Sequence, residues 1–415
     1  MSFMTKTRVR PIAMVVLIDI LGFLLLYLFN RADSRSVLYV GAAMCAVNIV
    51  VYSVIYFADM GDGYLFLMVS MLVSIGMIMM FRLDFSKGFH QMQWFLVGIG
   101  IMFCAYIVYR AFKRWDSLAY FYMALTAVMF LVTLIFGETI HGSRNWINIG
   151  GKSFQPSEII KIFYAFTLAC FFSKSTGNGT EENQTERHIF GVRVSEWQLM
   201  IYVYMCLGFF VIQREWGTAV LFVLMYFTMM LLYDSTLRLR LINIVLAAIG
   251  GVGGYFLTDH IRVRVSTWLD PWADATNKGF QITQSLIAIA SGGFFGAGLG
   301  NGDPYLIPEV HSDFIFSAIC EEMGLFMGIA IIMLYFIFSY RGFKIALKAK
   351  NEFNRALSLA LVISFAYQTF IIVGGVIKMI PLTGITLPFV SYGGSSMVSC
   401  FIMLGLLTAI SHYDA

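Results

Sequence analysis

Apolar residues run along this chain in blocks of about twenty, the length a helix needs to cross the hydrocarbon of a bilayer. By that rule, spans are predicted near 12–30, 37–57, 64–82, 92–109, 117–136, 156–173, 197–213, 217–233, 240–257, 313–339, 356–377 and 395–411, twelve in all. The join at 213–217 is the tightest. The blocks are continuous, whereas barrel strands would alternate apolar and polar positions. Only helices and closed barrels satisfy their backbone in lipid. The expected fold class is therefore an all-α polytopic membrane protein with about 12 transmembrane helices and one long exterior loop.

Composition agrees. Of 415 residues 59% are hydrophobic and 13% charged, and mean hydropathy is +0.78. Soluble domains are about a quarter charged, so a soluble enzyme, a disordered tail protein and a nucleic-acid binder are excluded. The net charge of +4 leaves no broad basic surface for polyanions. Cys45, Cys104, Cys170, Cys206, Cys320 and Cys400 all fall in apolar stretches without a CxxC spacing, which reads as helix packing rather than metal or disulfide chemistry. Lys6, Arg8 and Arg10 precede the first apolar run and no small-residue cleavage site follows it, so a retained first span is expected.

Lys and Arg positions orient the spans. With a cytoplasmic N-terminus the inner loops are 58–63, 110–116, 174–196, 234–239 and 340–355, and the last of these carries Arg341, Lys344, Lys348, Lys350 and Arg355. The segments 137–155, 258–312 and 378–394 then share the exterior. The second is far longer than an ordinary connector. It holds Trp268, Trp272, Phe280 and the apolar run Leu286–Ala290, which predicts a short helix on or in the membrane surface. The polar stretch 175–188 reads as a linker, and its sequons at Asn178 and Asn183 fall on the inner side, away from glycosylation.

Ionisable groups near spans mark candidate chemistry. In Gln155-Pro156-Ser157-Glu158-Ile159-Ile160-Lys161, Pro and Ser start a helix, Glu158 sits in its first turn, and Lys161 shares its face. Spacing alone favours a cap plus a local ion pair. In His311-Ser312-Asp313, at the exterior end of the tenth span, Asp313 suits either an N-cap, the simpler reading, or a poised general base, with Glu321 and Glu322 two turns deeper. Between Lys378 and Ser396, Pro381, Gly384, Pro388, Gly393 and Gly394 predict irregular backbone, which lipid tolerates only where it lines a cavity or is buried in protein. The run Gly296–Gly302 has no GK[ST] and no preceding strand, so a nucleotide loop is rejected. Asp19 and Arg82 are read as snorkelling toward span ends.

Five ordered stretches resemble the SEDS (RodA/FtsW/SpoVE-type) peptidoglycan polymerases: HGSRNWINIGGKSFQPSEIIK at 141–161, REWGTAV at 214–220, LDPWADATNKGFQITQSLIAIASGGFFGAGLGNG at 269–302, PEVHSDFIFSAICEEMGL at 308–325 and PLTGITLPFVSYGGSSM at 381–397. The resemblance covers about 64–411. Family members commonly have ten spans. It therefore implies a polymerase core at 64–415 preceded by a two-helix extension at 1–63. Where the family commonly has Pro-Asp, this chain has Arg214-Glu215, which keeps the acid and changes its reach.

The resemblance implies a glycosyltransferase in the bacterial cytoplasmic membrane that polymerises lipid II at the exterior face. Its partner would be a class B penicillin-binding protein, a transpeptidase. Asp313 would be the catalytic general base. Substrate-binding candidates are Glu158, Lys161, Arg144, Trp146, Lys152, Gln155, Arg262, Lys378 and Ser395, with Arg144, Lys152, Arg262, Arg264 and Lys378 the cations available to a pyrophosphate. A divalent cation, Mg or Mn, could share that work. The alternatives are a lipid II flippase or transporter and a non-catalytic cell-wall scaffold. Intramembrane charges suit a transporter, but the unusual residues here gather at one side rather than at the midplane.

Overall fold

The computed structural model describes residues 10–29, 34–140, 143–150, 152–176, 188–189, 192–233 and 235–413. The sequons at Asn178 and Asn183, most of the linker at 175–188, and the N-terminal Lys6 and Arg8 lie outside them. Each predicted span is a helix. In chain order they are α1 (Arg10–Phe29), α2 (Ser34–Phe57), α3 (Gly63–Leu83), α4 (Phe85–Ala111), α5 (Ala119–Phe136), α6 (Pro156–Thr176), α7 (Val194–Gln213), α8 (Trp216–Leu232) and α9 (Leu237–Leu257). After the long loop come α12 (Ile315–Lys348), α13 (Glu352–Val376) and α14 (Gly394–Tyr413). Eleven are long and apolar enough to cross a bilayer, and α8, with 17 residues, is the short one.

The helix ends follow the local chemistry. Asp62 starts α3 by accepting from the Tyr64 N–H, and Asp84 both ends α3 and caps α4 by accepting from the Lys87 N–H at 3.1 Å. α4 therefore begins seven residues before the span predicted at 92. Helices α3, α6, α13 and α14 are the most enclosed and form the centre; α9 lies at the rim with only Leu239 and Asn243 buried. The pair α1–α2 packs on α3: a β-carbon on Gly22 would run into Ile78. Asp19 does not snorkel. It is fully buried in this contact and accepts from Asn48 Nδ2 at 2.9 Å. The six cysteines are free thiols.

The three segments predicted to share a side do gather at one end of the bundle, where all three line a single cavity. The first holds a three-stranded antiparallel meander, β1 (Glu138–Ile140), β2 (Ser143–Ile149) and β3 (Lys152–Phe154), which hydropathy did not predict. The long loop holds two helices, α10 (Asp259–Leu269) and α11 (Phe280–Gly292). α11 contains the predicted apolar run and buries Ile282, Thr283, Ser285 and Ala288. Its Ser285 hydroxyl bonds Ser317 of α12 and the Val376 carbonyl of α13.

α12 is broken at Gly324, where φ is +81°. Ala297 and Gly298 N–H donate to the carbonyls of Glu321 and Glu322, and Leu325 and Phe326 N–H donate to those of Gly293 and Phe294. A β-carbon on Gly324 would stand 2.4 Å from the Phe294 carbonyl oxygen, so only glycine lets the two backbones meet. Glu321 and Glu322 serve this joint and do not line the cavity: they accept from the N–H groups of Asp303 and Gly300. Arg82 pairs with Glu322 at 3.0 Å and donates to the carbonyls of Gly300 and Gly302. It thus ties the glycine-rich loop to α3 instead of snorkelling.

Candidate functional site

The cavity at the loop end holds about 1140 Å³ and is lined by the meander, α10 and the 380–396 segment, among others. Its floor is polar. Lys161 Nζ donates to Glu158 Oε2 at 2.8 Å and to Gln368 Oε1 at 2.9 Å. Ser399 also donates to Glu158, and Gln368 passes the network on to the Thr386 carbonyl. Thr386 in turn bonds the Ser396 hydroxyl. Glu158 and Lys161 are 9% and 2% exposed, so this is a buried pair with its hydrogen bonds satisfied. The pairing expected from spacing forms, and it links α6 to α13 and α14 rather than only ordering its own helix end.

Asp313 sits on the cavity wall, half-buried, in the turn before α12. The N-cap position falls on Phe314 without a side-chain cap bond, so the capping alternative for Asp313 is not realised. The turn is clamped from the 381–397 stretch. Tyr392 N–H donates to the His311 carbonyl at 2.9 Å, and the Ser391 hydroxyl donates to the Ser312 carbonyl at 2.5 Å. Gln91 of α4 holds this clamp by donating to the Ser391 carbonyl and accepting from the Gly393 N–H. The irregular backbone predicted here is thus buried in protein and cavity-lining at once.

Arg264, on α10, faces Asp313 electrostatically and donates to the Leu382 carbonyl at 2.8 Å. Burial pulls its guanidinium below the usual range and the charge of Asp313 opposes that shift. Trp268, one turn on, donates to the Lys378 carbonyl at 3.2 Å. Lys378 has φ +61°, and its contribution is this backbone contact. His311 receives Lys87 against its Nδ1 at 3.2 Å. Burial and the Lys87 charge lower the imidazole's pKa.

Of the cations available to a pyrophosphate, Arg264 lines the cavity, while Arg144, Arg262 and Lys378 do not. Arg144 is exposed and donates to the Gly137 carbonyl; Arg262 is spent on Asp259 and the Phe256 carbonyl. Lys152 contributes backbone to β3 and its side chain falls outside the described residues. Trp146, Gln155, Glu158, Lys161 and Ser395 all line the cavity. Sequence reading missed Lys87, Arg214 and Lys278, which line it too. For Lys87 the signal was the Asp84-x-x-Lys87 cap, which extends α4 past its apolar run. Among the described residues no three His, Cys, Asp or Glu side chains converge as a metal cluster, and Asp313 faces a guanidinium.

Glu215 fills the short break between α7 and α8. Its Oε1 accepts from Gln155 Nε2 at 2.9 Å, Ser157 Oγ at 2.6 Å and Thr218 Oγ1 at 2.6 Å. Burial raises its pKa, against the pull of Ser157, Thr218 and Asn145. The buried acid therefore joins the start of α6 to the start of α8.

A family model described as a cell cycle protein, FtsW/RodA/SpoVE, matches residues 53–415. The chain belongs to the FtsW/RodA/SpoVE family. It is accordingly a multi-pass membrane protein. Among curated relatives, the peptidoglycan glycosyltransferase RodA of Mycobacterium tuberculosis is 34% identical over 374 residues, 86% of this chain and 79% of that protein. Stage V sporulation protein E of Bacillus subtilis is 31% identical over 367 residues, 85% and 97% of the two chains. Among solved structures, a chain from a peptidoglycan synthase complex that coordinates polymerisation and crosslinking superposes with a TM-score of 0.68 at 23% identity, over 86% of this chain and 99% of its own. The rod shape determining protein RodA of Thermus thermophilus gives 0.62 at 23% identity, over 85% and 97%. This chain shares its fold with both.

Proposed function

We propose that this chain is a peptidoglycan glycosyltransferase that polymerises lipid II at the outer face of the cytoplasmic membrane, beside a class B penicillin-binding protein. The observation that carries the reading is Asp313, half-buried on the wall of a cavity that also holds Arg264 and the buried Glu158–Lys161 pair. The curated relative named above as a peptidoglycan glycosyltransferase supports it, as does the basic character of the loop 340–355.

In the reaction the acceptor's 4-hydroxyl attacks the anomeric carbon of the donor sugar. The bond from that carbon to the pyrophosphate oxygen breaks, undecaprenyl pyrophosphate leaves, and a β-1,4 link forms with inversion. Asp313 takes the hydroxyl proton as general base. Arg264 offers positive charge to the developing negative charge of the leaving group. Glu158 and Lys161 hold α6, α13 and α14 in register beneath the cavity. The pyrophosphate supplies the driving force, so no nucleotide site is required.

The test is the purified protein with its transpeptidase partner and fluorescent lipid II. Long glycan made by the wild type and lost in Asp313→Ala is the expected result. Translocation of lipid without product would make the chain a flippase, and neither activity would make it a scaffold.

A further inference from the structure

Among the described residues, six that line the cavity each carry a buried polar atom without a hydrogen-bond partner: Asn145 Oδ1, Glu215 Oε2, Trp216 Nε1, His260 Nδ1, His311 Nε2 and Thr383 Oγ1. Leaving such atoms unmade costs free energy, so several of them in cavity-lining residues call for a partner. Four of them belong to residues joined by contact or by sequence. Asn145 lies beside Glu215 and helps hold its charge, and Trp216 is the next residue. Thr383 is adjacent too: a β-carbon on Gly217 would stand 3.1 Å from its Cβ.

The cluster is built rather than accidental. Glu215 and Asn145 are 7% and 6% exposed. Three donors converge on Glu215 Oε1 and fix the carboxylate, so Oε2 is the oxygen left over. Ser143 of β2 donates to the Arg214 carbonyl at 3.2 Å, which pins the meander, and with it Asn145, against the α7–α8 corner. Thr383 is followed by Gly384, whose β-carbon position is 3.2 Å from Asp313 Oδ2.

The unmet atoms are two acceptors, one N–H donor and one hydroxyl. An acetamido group offers the complement, an N–H and a carbonyl oxygen. On a pyranose ring the 2-acetamido group and the 4-hydroxyl lie one ring width apart. We propose that Asn145, Glu215, Trp216 and Thr383 form a subsite for the 2-acetamido group of the acceptor N-acetylhexosamine, the ring whose 4-hydroxyl faces Asp313. The N–H donates to Glu215 Oε2 or Asn145 Oδ1, and the acetyl oxygen accepts from Trp216 Nε1 or Thr383 Oγ1. Glu215 is here a binding residue; the proton transfer stays with Asp313.

This rests on the function proposed above, and its test separates the two. Polymerisation kinetics are measured, with the transpeptidase partner present, on lipid II and on its analogue with glucosamine in place of N-acetylglucosamine. The wild type is expected to prefer the acetylated lipid by about tenfold or more in kcat/KM, since a site built to hydrogen-bond a group rejects the analogue lacking it. Glu215→Gln keeps the shape and Oε1 but puts a donor where the spare acceptor was. It should raise KM for lipid II far more than it lowers kcat, and erase the preference. A merely structural role would impair both lipids equally. Trp216→Phe removes only the N–H and should weaken the preference even if Glu215→Gln fails to fold. A preference unchanged in either folded variant overturns the subsite and leaves the polymerase standing. No product from the wild type on either lipid sinks the polymerase reading itself.

Discussion

Gly384 leaves open the space that Asp313 occupies: a β-carbon there would stand 3.2 Å from Asp313 Oδ2 and 3.7 Å from Arg264 Nη2. Its φ of +71° is also one that side chains adopt at a cost. Gly384→Ala should therefore push the carboxylate and guanidinium apart at little cost to the fold. Turnover of lipid II is expected to fall about 10- to 100-fold, since misplacement by an ångström is enough for that. The melting temperature should drop only by what about 1–2 kcal/mol of backbone strain accounts for. Wild-type turnover in this variant would mean that the Asp313–Arg264 juxtaposition does not matter to the chemistry.

Lys161 and Glu158 are buried together, and Lys161 is the only cation bonded to Glu158 among the described residues. Lys161→Met leaves a buried carboxylate held by the Ser399 hydroxyl alone, a loss of about 3–5 kcal/mol. The double variant Glu158→Gln with Lys161→Met removes both charges and should recover most of that loss. Thermal unfolding of both in one detergent decides it. Equal stability of the single and double variants would show that the ion pair does not hold the three helices.

His311 is half-buried against Lys87, with Asp84 and Glu309 opposing, and its pKa lies below the ordinary 6.5. In the unfolded chain the ring protonates at the ordinary value. The stability it contributes is present above pH 6.5 and is lost as pH falls from there through the folded value. His311→Asn should flatten the decline in melting temperature on acidification over that window while leaving the neutral end little changed. Parallel wild-type and variant curves would mean the ring carries no such linkage.

The sequence by itself determined the twelve helices, their shared end and the polar segments that meet there. Hydropathy is local and the bilayer sets a length, so span placement needs no tertiary knowledge. The motifs likewise singled out Asp313, Glu158 and Lys161 before any contact was known. What it could not determine is which way a side chain faces. Arg262 and Arg264 are two residues apart on α10, about 200° around a helix, so one pairs with Asp259 at the surface and the other meets Asp313. The same limit hid Lys87, the anchoring role of Arg82 and Glu322, and the approach of Asn145 and Thr383 to the Glu215–Gly217 corner. Each depends on segments far apart in the chain being brought face to face, and that is decided by how the helices pack, not by the residues on either side.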